Sequence, residues 1–145
     1  MANQTMLRFG YPQSRIAEYA HWVVLLRPDQ VTAGCLILAC KEDARSFGQI
    51  TAAAGTELPR VAADIESAFS ATYKPEKLNY LALMMVDPHV HFHVIPRYAH
   101  PVAVAGSSIP DPGWPRHPDL AAVAALSEDQ MARILAELKS NWPPA

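Results

Sequence analysis

One short segment alternates strictly between histidine and apolar residues, and it reads HVHFHVI over 89–95. Because successive side chains of a β-strand point to opposite faces, this alternation predicts a strand. The three histidines then share one face, which we expect to line a cleft or to face solvent. Val90 and Phe92 between them, and Val94 after them, share the other face and point into a core. The chain is therefore expected to contain a β-sheet with at least one buried face.

Three other apolar segments predict strands that join this sheet. They are HWVVLLRP from His21 to Pro28, AGCLILAC over 33–40, and LNYLALMMV over 78–86. The short polar turn DQVT joins the first two, whereas the third is continuously apolar, as in a strand that is covered on both faces. The third precedes the histidine strand across Asp87-Pro88, so we expect these two to pair as a tight hairpin.

Two segments show the three- and four-residue spacing of amphipathic helices. The first lies within 46–73, begins no later than Thr56, and either holds Pro59 in its first turn or is kinked there. The second spans 127–140 and opens with Ser127 and Gln130 as a capping box. Hairpins without β-α-β alternation predict an α+β fold with an antiparallel sheet of about five strands, one long helix and a C-terminal helix.

Proline is the unusual part of the composition, with 13 residues, and six of these lie between Pro96 and Pro118. Glycines and serines fill much of the same segment. Together they predict a loop without regular structure over 99–118.

Length, charge and cysteine content limit the class of protein. The 145 residues fit one domain, 1–145, and 12 basic against 14 acidic residues give a net charge of −2, which argues against binding nucleic acid or an anionic membrane through bulk charge. No apolar run is long enough to span a membrane, and no signal peptide opens the sequence, so we expect a cytoplasmic protein. Cys35 and Cys40 lie in one predicted strand and point to opposite faces, so we expect two reduced thiols.

Two kinds of chemistry use histidines arranged in this way. Alternate histidines on a strand can supply ligands to zinc, although a complete site needs further ligands from elsewhere. In the second kind, a neutral imidazole attacks phosphorus while its neighbours donate hydrogen bonds to phosphate oxygens, and no metal or other cofactor takes part. Two protonated imidazoles about 7 Å apart repel by about 2.4 kcal/mol, so we expect the central one, His91, to be neutral. Arg97 and Arg27 are candidate phosphate partners, with solvated surface charges as the alternative.

The segment HVHFHVIPRY over 89–98 resembles the signature of the histidine triad (HIT) superfamily. The upstream strands, the long helix and the closing helix follow in the order of that family, so the resemblance covers nearly the whole chain. It implies a compact α+β domain that pairs as a homodimer. It also implies hydrolysis or transfer at the α-phosphate of a nucleotide, on dinucleoside polyphosphates or nucleoside phosphoramidates.

The resemblance also implies a role for each histidine. His91 matches the nucleophile that becomes transiently nucleotidylated. His93 matches the histidine that contacts the scissile phosphate and helps the leaving group depart, and His89 matches the more structural first member. Cys35 stands where the family often has a fourth, supporting histidine, and Arg27 stands where some members contact the ribose, so both are candidates for substrate binding.

The sequence departs from the family pattern just before the triad. Residues 83–86 are apolar, where polar side chains often help to bind phosphate. Two alternatives therefore stay open: a nucleotide-binding module with little turnover, and a zinc protein that uses the three imidazoles.

Overall fold

The computed structural model describes residues 1–145. Five strands form the main sheet: β1 (Arg15–Glu18), β2 (Trp22–Leu26), β3 (Leu36–Cys40), β4 (Lys77–Leu81) and β5 (His91–Arg97). The other elements are α1 (Gln4–Arg8), a 3₁₀ turn (Phe47–Gln49), α2 (Ala52–Ala71), β6 (Val102–Val104), β7 (Ser107–Ile109) and α3 (Glu128–Ser140). The sheet is antiparallel in the order β1-β2-β3-β5-β4. The predicted α+β class, the antiparallel sheet and the two helices are confirmed.

The sheet buries side chains on both faces. On one face, residues of α2 and α3 such as Ile65 and Ile134 pack in the main cluster with Val94 of β5. On the other face, Met6 of α1 packs on a second cluster that includes Ile37 of β3. Because both faces are covered, β2 and β3 are apolar and buried at every position.

The long helix begins earlier than the periodicity requires. Thr51 caps its N-terminus by accepting a hydrogen bond from the Ala54 backbone at 3.2 Å, so Pro59 lies in the helix interior. Pro59 is exposed, and the carbonyl of Gly55, four residues before it, lies on an exposed turn. Solvent can therefore hydrate the carbonyl that proline leaves without a donor.

The closing helix confirms its predicted start. The Ser127 hydroxyl accepts from the Gln130 backbone at 3.1 Å, and the Gln130 side chain accepts from the Ser127 backbone at 2.9 Å. Both halves of the capping box are therefore formed.

The predicted tight hairpin of two buried strands is wrong in two respects. β4 ends at Leu81, where it pairs with His93, so a longer loop connects it to β5. β4 is also the edge strand of the sheet and is only partly buried. The apolar residues after it leave the sheet, and Met85 and Val86 are 85% and 75% exposed.

The 99–118 segment contains regular structure, contrary to the prediction. β6 and β7 pair as a hairpin around Ala105 and Gly106, whose φ angles are 45° and 86°. A two-residue turn of this handedness matches the natural twist of two paired strands, and glycine adopts it without steric cost. Because prolines and glycines favour loops, the composition of this segment did not indicate the short hairpin.

The two cysteines lie on opposite faces of the sheet as predicted, although Cys35 comes one residue before β3. Both are free and buried, with Cys40 in the main cluster on one face of the sheet and Cys35 in a small cluster on the other. No helix has the length and apolar content needed to cross a membrane.

Candidate active site

The histidines lie at the start of β5, which runs between β3 and β4. His91 pairs with Ala39, and His93 pairs with Ile37 on one side and Leu81 on the other. The two rings lie on the same face of the sheet with their centroids 5.1 Å apart. The alternation therefore predicted their shared face correctly, and Val90 and Val94 are buried in the main core as expected. His89 precedes the regular strand by two positions.

The expectation that the histidine face is open to a cleft or to solvent is wrong. His89, His91 and His93 are only 3%, 2% and 9% exposed. The cause is the segment around α1, which the sequence patterns left unassigned. Phe9, directly after α1, lies over the pair, with its ring centroid 5.5 Å from that of His91 and 6.0 Å from that of His93.

The ring of His91 is oriented by the backbone. Its Nδ1 lies 2.7 Å from the carbonyl oxygen of His89. A carbonyl only accepts hydrogen bonds, so Nδ1 carries the proton and Nε2 of the neutral ring keeps a free lone pair. His91 is thereby held in the tautomer that a nitrogen nucleophile requires.

The ring of His93 is held in the opposite tautomer by Arg27. Nε of Arg27 lies 3.1 Å from Nδ1 of His93, and Nη1 of the same guanidinium donates to the Asp29 carbonyl at 2.6 Å. An arginine only donates, so Nδ1 of His93 accepts and its proton lies on Nε2. Burial, together with the charges of Arg27 and His91, lowers the pKa of His93 to about 4. His93 is therefore a neutral hydrogen-bond donor at physiological pH.

His89 is anchored away from the other two rings. Its Nδ1 lies 2.9 Å from the Thr5 hydroxyl, and its Nε2 lies 2.9 Å from the carboxylate of Asp43. The Thr5 hydroxyl also accepts from the His89 backbone N–H at 3.2 Å. These bonds tie α1 to the residue whose carbonyl orients His91.

A small opening of about 200 Å³ lies beside the pair, lined by Arg8, Phe9, Arg27, Pro28, Asp29 and Asp87. Arg8 and Asp87 form an ion pair at 3.0 Å across it. The volume is below the range of about 300–1,000 Å³ that is usual for small-molecule pockets. The opening is therefore too small for a whole nucleotide in this conformation.

Two predicted substrate-binding residues do not join this group. Arg97 lies on the same face of β5, but its guanidinium is 4% exposed and pairs with the buried carboxylate of Asp111 at 2.7 Å. The Cys35 thiol is fully buried, and its polar contacts are with Thr32, at 3.3 and 3.4 Å. The structure thus brings together His89, His91, His93 and Arg27.

Three residues of the site carried no predicted role: Thr5, Phe9 and Asp43. Asn3 is the residue of this segment whose type could have indicated a helix: its side chain caps α1 by accepting from the Met6 backbone N–H at 3.0 Å. An asparagine before a short apolar stretch is a helix start signal. It indicates a helix there, but it does not indicate which face of the sheet that helix covers.

Both nitrogens of His89, Nδ1 of His91 and Nδ1 of His93 already have protein partners. No group of three or more His, Cys, Asp or Glu side chains is arranged to hold a metal ion. A surface depression of about 580 Å³ lies elsewhere, between α2 and β4.

The chain is similar to a known protein family and to several solved structures. The model of the HIT domain family matches residues 10–100. A histidine triad protein of Sinorhizobium meliloti 1021 has a similar structure, with 21% identity, 97% of this chain and 96% of that chain covered, and a TM-score of 0.73. A histidine triad protein of Bradyrhizobium japonicum matches with 19% identity, 98% and 97% coverage and a TM-score of 0.73.

A zinc-bound histidine triad family protein of Mycobacterium smegmatis is more distant, with 18% identity, 87% and 84% coverage and a TM-score of 0.56. No curated protein matches this sequence. The solved structures share the fold of this chain over most of its length.

Proposed function

This chain belongs to the histidine triad family, and from that premise we propose that it is a nucleotide hydrolase or nucleotidyl transferase acting at the α-phosphate. The observation that carries the proposal is the orientation of His91. The His89 carbonyl at 2.7 Å holds the Nδ1 proton, so the Nε2 lone pair is available for attack. Family membership supports the binding of a small nucleotide.

The proposed reaction has two displacements at phosphorus. First, Nε2 of His91 forms a bond to the α-phosphorus while the bond from phosphorus to the leaving group breaks, and the leaving group keeps the electron pair. The nucleotidylated ring is then positively charged, and the His89 carbonyl stabilises its Nδ1 proton. Second, water attacks phosphorus, the N–P bond returns its electrons to Nε2, and a proton is released to solvent. In a transfer reaction, an acceptor hydroxyl takes the place of water.

His93 contributes a hydrogen bond rather than a proton. With Nδ1 occupied by Arg27, its Nε2–H points to a phosphate oxygen or to the leaving group. A neutral imidazole that gave up this proton would become an imidazolate, which is far too basic to form at neutral pH. A polyphosphate departs as an anion and needs no proton, whereas the amine of a phosphoramidate does. We therefore propose dinucleoside polyphosphates over nucleoside phosphoramidates as the better substrates.

Substrate entry requires the α1 segment to move. His91 is 2% exposed under Phe9, and the adjacent opening is about 200 Å³. The segment is held by the Arg8–Asp87 ion pair, by the Thr5–His89 hydrogen bonds and by the buried side chain of Met6, so its opening has to break these contacts. We propose that it opens to admit a nucleotide and closes over the bound substrate.

A turnover assay with mass spectrometry tests this function. The protein is incubated with a dinucleoside polyphosphate and with a nucleoside phosphoramidate, and intact mass is recorded for a nucleotidyl adduct. We expect nucleotide release, an adduct on His91, and neither in His91→Ala. His100→Ala, which removes an exposed histidine remote from the triad, is the control and should retain both. Equal turnover by His91→Ala would refute the mechanism.

The apolar residues before the triad favour a second candidate, a nucleotide-binding module with little turnover. In this case a nucleotide enters when the α1 segment opens but is not cleaved, because the exposed apolar residues Met85 and Val86 take the place of polar groups that would assist the reaction. Calorimetry that shows saturable nucleotide binding, with no product after prolonged incubation, would favour this candidate over the enzyme.

The zinc alternative has less support from the geometry. Nδ1 of His91 faces a carbonyl, Nδ1 of His93 faces Arg27, and both nitrogens of His89 have protein partners. Only Nε2 of His91 is left as a free lone pair, and zinc sites need three or four ligands.

We also propose a cytoplasmic homodimer. Both thiols are free and buried, as is usual in a reducing compartment. β4 has a strand partner on one side only, and an open edge can pair with a second copy. Light scattering should give twice the chain mass of 15.9 kDa, and a mass of one chain would contradict the assembly.

A further inference from the structure

A second pocket lies at the opposite end of β5 from the histidines. It has a volume of about 460 Å³ and is lined by Lys77, Asn79, Arg97, Trp114, Arg116 and His117, together with Pro115. Arg97 is four positions beyond His93, or about 13 Å along the strand. Ile95 lies between them, is fully buried and packs with Leu120. The pocket is therefore separate from the triad.

The charges around this pocket are unbalanced. Three cationic side chains line it, and no carboxylate does. Asp111 neutralises Arg97 from behind, at 2.7 and 3.2 Å, but Lys77 and Arg116 form no ion pair with any residue of the chain. Lys77 is the direct cross-strand partner of Arg97, so the two side chains lie on the same side of the sheet. A bound anion would pair with the unpartnered charges of Lys77 and Arg116.

The pocket has one rigid wall. Arg97 is 4% exposed and is fixed by Asp111 and by Asn79, whose Oδ1 accepts from Nη1 at 2.8 Å. These contacts use three of the five guanidinium N–H groups, so two remain as donors. A buried arginine held in place loses little entropy when it binds an anion, and its planar donor group suits phosphate.

Trp114 adds a flat, partly buried ring to the same pocket. An indole beside a cluster of cations suits a ligand that carries both a planar ring and a phosphate. The volume is in the usual range for a ligand of that size. We propose that this pocket is a second ligand site, which binds a phosphate monoester of a planar heterocycle, of the size of a mononucleotide.

The test follows the indole N–H signal of Trp114 by NMR during titration with AMP, with adenosine and inorganic phosphate as partial ligands. Trp114→Phe assigns the signal among the three tryptophans. We expect a saturable shift with AMP, a weaker response to phosphate, and little response to adenosine. Raising the salt concentration should weaken AMP binding, because the attraction is electrostatic.

Lys77→Ala/Arg116→Ala is the diagnostic variant, since both residues are exposed and their loss should not affect folding. It should weaken AMP binding on the order of tenfold or more. Arg133→Ala/Lys139→Ala removes the same charges from α3 and should bind as the wild type does. The signals of Trp22 and Trp142 report the fold. No saturable shift in the wild type, or unchanged affinity in the diagnostic variant, would overturn the proposal.

Discussion

Arg27 is the side chain that decides what His93 can do. In Arg27→Gln the charge of Arg27 is lost, so the pKa of His93 should rise from about 4 while burial still keeps it below its ordinary value. The ratio of phosphoramidate to polyphosphate turnover should then rise on the order of tenfold, because His93 can carry a proton to the leaving amine. NMR titration of the ring and paired kinetics measure the two effects. Arg133→Gln, an exposed arginine of α3 away from the histidines, is the control.

Arg97 is predicted to matter for stability. Asp111→Ala leaves its guanidinium buried without a carboxylate, so the free energy of unfolding should fall by about 3 kcal/mol. The exposed pair Arg133–Glu137 gives the comparison, since Arg133→Ala should cost less than about 1 kcal/mol. Urea denaturation measures both. Equal costs for the two changes would mean that the Arg97–Asp111 pair adds nothing beyond a surface contact.

Among the individual segments, α1 and Phe9 control access to the nucleophile. Phe9→Ala removes the ring over His91 and His93, so carbethoxylation of His91 by diethyl pyrocarbonate should accelerate several-fold. Peptide mass spectrometry measures the rate at each histidine. Leu7→Ala, an exposed apolar residue of the same helix, should leave the rate unchanged. A rate in Phe9→Ala equal to that of the wild type would show that Phe9 does not shield the site.

The local patterns along the chain predicted several segments well. The apolar strands around Val24 and Leu38, the α2 face with Val61 and Ile65, and the capping box at Ser127 all follow from spacing that neighbouring residues set themselves. β4 was less predictable, because apolar residues such as Met85 and Val86 lie beyond its end. Periodicity does not show where a partner strand stops.

For the chain as a whole, the buried His93 makes stability depend on pH. Its folded pKa of about 4 lies below the ordinary value of 6.5, so the unfolded chain binds more protons between these values. Stability is therefore full above pH 6.5 and falls as the pH drops toward 4, by on the order of 2 kcal/mol. Denaturation at a series of pH values should show this slope in the wild type and a flatter one in His93→Asn. If the wild type and His93→Asn show the same dependence of stability on pH, a group other than His93 causes it.

The alternation of histidine and apolar residues was enough to predict the strand, its buried Val94 and the shared face of His91 and His93, because a side-chain period of two is a local property. Contacts between distant parts of the chain determined the rest. Phe9 and Thr5 reach the histidines from the N-terminus, and Arg27 reaches His93 from the end of β2. These contacts cannot be predicted from residue spacing within one segment, because they depend on how the sheet and its covering segments pack together.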